Sequence, residues 1–307
     1  MTERTVRIAT RGSQLALTQA QWVADRLSEL GQPVELVIVT TRGDVDQRPF
    51  SSIEGQGFFT KAVQDELLAG RADLAVHSYK DLPSAGPAGL TIAAVPGRAN
   101  PLEVLLIAPT GFDGSAEPLP VRAGGRVGTS ASRRRRQLAA ARPDLQLLDL
   151  RGNVPTRVEK LRQGEYDAII VAAAGLERLE LSTKGLLHRE LPPEVLMPAP
   201  AQGALALEVR SDDADLRELL QQLHSPEDGE LVAAERGLMA LLDGGCQLAL
   251  GAHATRVDGR LQLSAWYEGQ GVTVESDSGE QAARLAFEAL GQPDPATPAA
   301  SVEESPK

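Results

Sequence analysis

Cysteine occurs once in the 307 residues, as Cys246, so no disulfide can form within the chain. That usage fits a reducing compartment. Aromatic side chains make up only 3%, too few to build stacking platforms for nucleic-acid bases. No apolar run approaches the roughly 20 residues that span a bilayer. The N-terminal stretch MTERTVRIATRGS is charged early and lacks the apolar core of a secretion signal, so a cytoplasmic location is expected. The four histidines, His77, His188, His224 and His253, are scattered, with no ligand-like spacing to one another or to Cys246, and no metal site is expected. Neither a Walker loop nor a G-x-G-x-x-G fingerprint is present. The formal net charge of −11 argues against non-specific nucleic-acid binding.

What is present is an ordinary globular composition, 42% hydrophobic and 24% charged, in a chain long enough for two or three domains. Its charge is uneven. Between Arg122 and Arg162 ten arginines and Lys160 face only Asp144, Asp149 and Glu159, a segment of net +8 in a chain of net −11. Such a concentration suits a small anionic ligand, although a run such as Arg133 to Arg136 serves equally well as a solvated face.

Periodicity predicts alternating strands and helices. RTVRIAT, VELVIVT and ADLAVHS read as strands, with helices over GSQLALTQAQWVADRLSEL and FFTKAVQDELLAG. GRVGTS, LQLLDL and YDAIIVAAAG repeat the strand pattern, with helices over SRRRRQLAAA and VPTRVEKLRQG. Proline clusters near 96–101 and 192–200 mark crossings between two α/β units, and GALALEV reads as a strand returning to the first. A helix from about Pro226, strands around QLALGAHATRV and GRLQLSAWY, and a helix over SGEQAARLAFEAL make a small α+β unit. The expected division is 1–98 with 199–216, then 99–198, then 217–291. A Pro, Ala and Glu-rich tail over 292–307 is expected to be disordered. The polar loop from Gly43 to Gly57 has the length of a functional lid.

Ligands in open α/β sheets sit at strand carboxyl ends and helix N-termini. Five such turns carry a cation here: Arg11 with Ser13, Lys80 beside Asp81, Arg133 and Arg134 after Thr129 and Ser130, Arg151 with Arg157, and Arg178. Arginine takes carboxylates two oxygens at a time, so the set predicts a ligand with several carboxylates. Asp81 is the odd member. It either pairs with an arginine or meets positive charge during a reaction.

Six blocks, RIATRGSQLAL, AVHSYKDLP, VGTSASRRRRQLAAARPDL, LRGNVPTRVEKLRQGEYDAIIVAAAGLERL, PAPAQGALALEVR and LLDGGCQLALGAHA, resemble in order the porphobilinogen deaminases, also called hydroxymethylbilane synthases. The resemblance implies an α/β fold: two periplasmic-binding-protein-like domains, with mainly parallel sheets, around a cleft, plus a small α+β domain presenting Cys246. It implies a dipyrromethane cofactor joined to Cys246 by a thioether, which primes head-to-tail addition of four porphobilinogen units with loss of ammonia and release of hydroxymethylbilane. By the same resemblance Asp81 matches the catalytic aspartate. Lys80, Asp81, Thr129, Ser130, Arg133 and Arg134 match cofactor-holding positions. Arg11, Ser13, Phe59, Arg151, Arg157 and Arg178 match positions lining the substrate path. A monomer is implied, with no nucleic-acid or membrane partner.

The chain departs from the family pattern at Ser52 and Gln56, where relatives carry lysines, and at Ala131, where a serine is usual. Arg135 and Arg136 extend the arginine pair and are expected to face solvent. Two other classes fit parts of the sequence: a binding protein for an anionic metabolite, and an unrelated enzyme with a cysteine nucleophile.

Overall fold

The computed structural model describes residues 4–41, 60–242 and 248–291. The first sheet collects β1 (Val6–Arg11), β2 (Val34–Val39), β3 (Leu74–Ser78), β4 (Leu90–Ala94) and β10 (Leu205–Arg210) in the order β2-β1-β3-β10-β4. The second collects β5 (Glu103–Ile107), β6 (Arg126–Gly128), β7 (Gln146–Leu148), β8 (Ala168–Ala172) and β9 (Leu187–Leu191) in the order β7-β6-β8-β5-β9. The two orders follow one plan. Three strands pair in parallel, a fourth opposes both of its neighbours, and a fifth runs with the first three. In each sheet the opposed strand, β5 or β10, is the one that the chain enters from a crossing between the sheets. The duplication is topological, and no sequence repeat accompanies it.

Helices α1 (Gln14–Glu29), α2 (Lys61–Leu68) and α6 (Ala214–Gln221) go with the first sheet, and α3 (Ser132–Ala141), α4 (Val154–Arg162) and α5 (Ala173–Arg178) with the second. Local chemistry sets several of these starts. Ser13 accepts a hydrogen bond from the Ala16 amide, and Asn153 accepts one from Thr156, with Pro155 in the first turn. Ala131 opens α3 with no side-chain cap, so the departure noted above forgoes about 1 kcal/mol of helix stability. The segment YDAIIVAAAG does not continue as a strand to its end. It turns helical at Ala173, because an alanine run released from the sheet edge favours helix, and this places Arg178 in the last turn of α5.

The third sheet, β11 (Gly251–Val257), β12 (Arg260–Tyr267) and β13 (Gln270–Ser276), is antiparallel throughout. It packs on α7 (Pro226–Leu241) and α8 (Gly279–Ala289) through Leu238, Leu261, Leu263, Ala283 and Phe287.

The crossings are tightly packed. Gly203 has φ +86, and a Cβ there would lie 2.3 Å from the Ala99 carbonyl oxygen, so only glycine lets the two connections touch. Ala201 has φ 61, a left-handed conformation that costs an alanine roughly 1 kcal/mol. Among the described residues no helix is long and apolar enough to cross a membrane.

Candidate active site

The first sheet ends in a cleft lined by Arg11, Ser13, Gln19, Thr60, Ser78 and Asp81 among others. Arg11 is the last residue of β1. Ser13 lies two residues on, and its hydroxyl is occupied at 3.3 Å by the Ala16 amide. Gln19 donates to the Ser78 hydroxyl at 3.0 Å and ties α1 to the end of β3. One residue later the chain turns through a single 3₁₀ turn, Tyr79–Asp81, which leaves Asp81 exposed toward the cleft and Lys80 half-buried. Lys80 donates to Gln202 Oε1 at 3.0 Å. Gln202 in turn donates to the Pro101 carbonyl at 2.8 Å, so both crossings hold the lysine in place. Burial pushes the Lys80 ammonium down to about 8, against the pull of Asp81.

The second sheet supplies the arginines. Arg133 and Arg134 are buried at 5% and 6% exposure, and both engage Glu103, the first residue of β5. Arg134 grips its two carboxylate oxygens at 3.0 and 2.7 Å, and Arg133 donates to one of them and to the Met197 carbonyl. Sequence reading missed Glu103, because a single glutamate at the head of an apolar run carries no local sign of its partners thirty residues away. Burial alone would raise the Glu103 carboxyl, but Arg134 and Arg133 outweigh it and hold it down to about 2. Thr129 is buried, and its hydroxyl has no hydrogen-bond partner among the described residues. Ser130 is committed to the backbone, donating to the Leu150 carbonyl at 2.8 Å and accepting from the Leu150 amide at 3.0 Å. Arg157 donates to the Gly152 carbonyl at 2.7 Å and Arg178 to the Gly203 carbonyl at 2.7 Å. Arg151 lies half-buried at the end of the turn after β7. Arg135 and Arg136 do more than face solvent: although partly exposed, the first pairs with Asp149 at 3.3 Å and the second with Glu268 in the turn between β12 and β13. Phe59, Cys246 and the loop from Gly43 to Gly57 lie outside the described residues.

Groups beside the two sheets sense each other electrostatically. Burial pushes Arg157 down to about 10, Arg134 and Arg151 push it the same way, and Asp81 opposes them from the other sheet. Arg134 and Arg151 both disfavour the charge on Arg157, so an anion brought beside it is stabilised. A ligand bearing several carboxylates suits that position.

The Glu103 cluster gives a pH prediction. A carboxyl held below its unfolded value stabilises the fold above about pH 4.5 and loses that contribution as pH falls toward about 2, on the order of 3 kcal/mol. Asp73, fully buried with Arg7, Arg210 and Arg4, is shifted the same way. Melting temperature is expected to fall steeply between about pH 5 and 2, and Glu103→Gln to be less stable at neutral pH but with a shallower acid slope. Equal slopes in the two proteins would refute the assignment. Arg133→Leu and Arg134→Leu each strip one partner from a buried carboxylate, a change that typically costs 3–5 kcal/mol, so loss of ligand in those variants has to be read beside their stability.

Two sheets of one plan, with arginines, Lys80 and Asp81 at their ends, suit an enzyme whose ligand bears several carboxylates. Two family models match the chain: porphobilinogen deaminase, dipyromethane cofactor binding domain, over residues 6–218, and porphobilinogen deaminase, C-terminal domain, over residues 230–275. The porphobilinogen deaminase of Syntrophobacter fumaroxidans is 47% identical over 267 residues, which cover 86% of this chain and 84% of that one. The chain belongs to the porphobilinogen deaminase family. Solved structures with a looser likeness include the BvgS periplasmic VFT2 domain of Bordetella pertussis (TM-score 0.43, 16% identity, 76% of this chain and 92% of that chain) and a putative L-cystine ABC transporter from Listeria monocytogenes (TM-score 0.36, 14% identity, 72% and 88%). Likenesses this distant carry no inference about function.

Proposed function

We propose that this chain is a hydroxymethylbilane synthase, a transferase that joins four porphobilinogen units head to tail onto a dipyrromethane primer carried by Cys246, releasing ammonia and the linear tetrapyrrole. The observation that carries the proposal is the opposition across the cleft. Asp81, after the first sheet, favours the charge on Arg157 beside the second, and Arg134 and Arg151 oppose it. Each pyrrole of this substrate brings two carboxylates, which the arginines bind, and its deamination generates positive charge, which a fixed carboxylate stabilises.

The covalently held primer would supply the acceptor ring for the first addition, and each unit added would supply the acceptor for the next. Lys80, Thr129, Ser130, Arg133 and Arg134 are assigned to holding it, Thr129 through its unpartnered hydroxyl. Arg133 and Arg134 also hold Glu103, so their share in binding is the charge Glu103 leaves over. Arg11, Ser13, Phe59, Arg151, Arg157 and Arg178 are assigned to the incoming unit and the growing chain. Asp81 keeps negative charge at the pyrrole nitrogen. The lobes of this reading are 1–98 with 199–216, 99–198, and 217–291, the last bearing Cys246.

The test is the intact mass of the denatured protein. Wild type is expected to carry two added pyrrole units. Arg157→Leu is expected to carry them as well, and then to accumulate partly extended chains when given porphobilinogen. An unmodified wild-type mass would sink the proposal in favour of a binding protein or a free-thiol enzyme. Full turnover by Arg157→Leu would remove that residue from the elongation path.

A further inference from the structure

Two neighbouring residues of α7, Glu235 and Arg236, reach in different directions, as successive helical residues do at about 100° apart. Glu235 is fully buried. It accepts from both Arg98 nitrogens at 2.8 and 3.0 Å, from the Ala201 amide at 2.6 Å and from the Ala254 amide at 2.8 Å. It thus binds the outgoing crossing, the strained returning crossing and β11 in one carboxylate. Arg236 turns toward the first sheet. It donates to the carbonyls of Tyr79 at 3.2 Å, Leu82 at 3.3 Å and Pro83 at 2.6 Å, and its guanidinium lies 4.3 Å from the centroid of the Tyr79 ring. Those carbonyls bracket the turn that carries Lys80 and Asp81. Cys246 comes five residues after Leu241, the last residue of α7.

We propose that Arg236 is a positioning residue for the reaction: it clamps the turn presenting Asp81, and with Glu235 it makes α7 the strut between that turn, the two crossings and β11. The inference rests on the function proposed above. A guanidinium suits this task because its planar fork serves several carbonyls at once while its face stacks on an aromatic ring, and lysine offers neither. Precise placement matters here, since displacement of a reacting group by about 1 Å can cost 10²-fold in rate.

Arg236→Met keeps the aliphatic stem and removes the donors. Its kcat, per molecule bearing the primer, is expected to fall roughly 10–100-fold with KM within about twofold of wild type. Arg236→Lys is expected to recover part of the loss. Apo-protein of Arg236→Met is also expected to gain the primer mass more slowly than wild-type apo-protein during incubation with porphobilinogen. A lowered melting temperature with wild-type kcat and wild-type loading would mean that Arg236 only braces the fold, and the inference would fall. If Arg236→Met does not fold, Arg236→Lys decides: a folded, loaded protein with reduced kcat supports the inference, and one with wild-type kcat overturns it. Wild-type protein without primer mass overturns both this inference and the functional proposal, whereas primed wild type with an unimpaired variant overturns this one alone.

Discussion

Cys246→Ala is expected to fold, to stay unmodified, and to show no turnover above buffer. The chain has no second thiol, so nothing else can take the thioether. Without a covalent acceptor the first addition has no anchored end, and the site is left with a diffusing substrate. Among the described residues the third sheet closes its core with Leu238, Leu261, Leu263 and Phe287. Melting temperature is therefore expected to stay within a few degrees of wild-type apo-protein, a shift of about 1 kcal/mol or less for a chain of this size. Primed wild type is expected to melt higher than either, because the carboxylates of the tethered primer meet the cations of the site only in the folded state. Cys246→Ser keeps the polarity and loses the sulfur nucleophile, and is expected to match alanine. Near-normal turnover by either variant would end the primer proposal, whatever the mass of the wild type.

Much of this architecture is legible in the sequence, and the failures have physical causes. Strands β1, β3 and β8 announce themselves as apolar runs between turn residues, as strands covered on both faces do. GALALEV shows no local sign of its destination, yet its place after the second proline cluster points back to the first sheet, where β10 lies between β3 and β4. Strands β4, β5, β9 and β13 escape attention. β5 follows directly on a proline-rich crossing, and in β9 four of five residues are exposed, so it lacks the apolar signature. Most cations of the site are visible because they sit at or just inside strand-to-helix turns, whereas Arg178 falls in the last turn of α5. Their partners are not: Glu103, Gln202, Glu235 and Arg236 act across long sequence separations, and nothing in their neighbours predicts it. The arginine run shows the limit most clearly. Four consecutive arginines look alike as letters, but helical geometry buries Arg133 and Arg134 against Glu103 and sends Arg135 and Arg136 to Asp149 and Glu268.

Asp81→Asn is expected to bind substrate at least as well as wild type and to be nearly inactive. The carboxylate raises the proton affinity of both Lys80 and Arg157, so it tempers the positive field of the cleft. Removing it leaves that field stronger, and a ligand bearing carboxylates gains attraction. If Asp81 served only to hold those cations in place, its loss would loosen them, raise KM and lower stability. If it meets the charge that develops as ammonia leaves, its loss falls on kcat, by about 10²–10³ for one preorganised electrostatic group. The two roles therefore predict opposite movements of KM. Asp81→Glu retains the charge one methylene away on an exposed turn, where there is room to adjust, and is expected to keep weak activity. Steady-state kinetics and melting curves of both variants separate the cases. A stable Asp81→Asn enzyme with raised KM and near-normal kcat would assign Asp81 to positioning the cations. A collapsed kcat with unchanged or lowered KM, partly recovered by glutamate, would assign it to the chemical step.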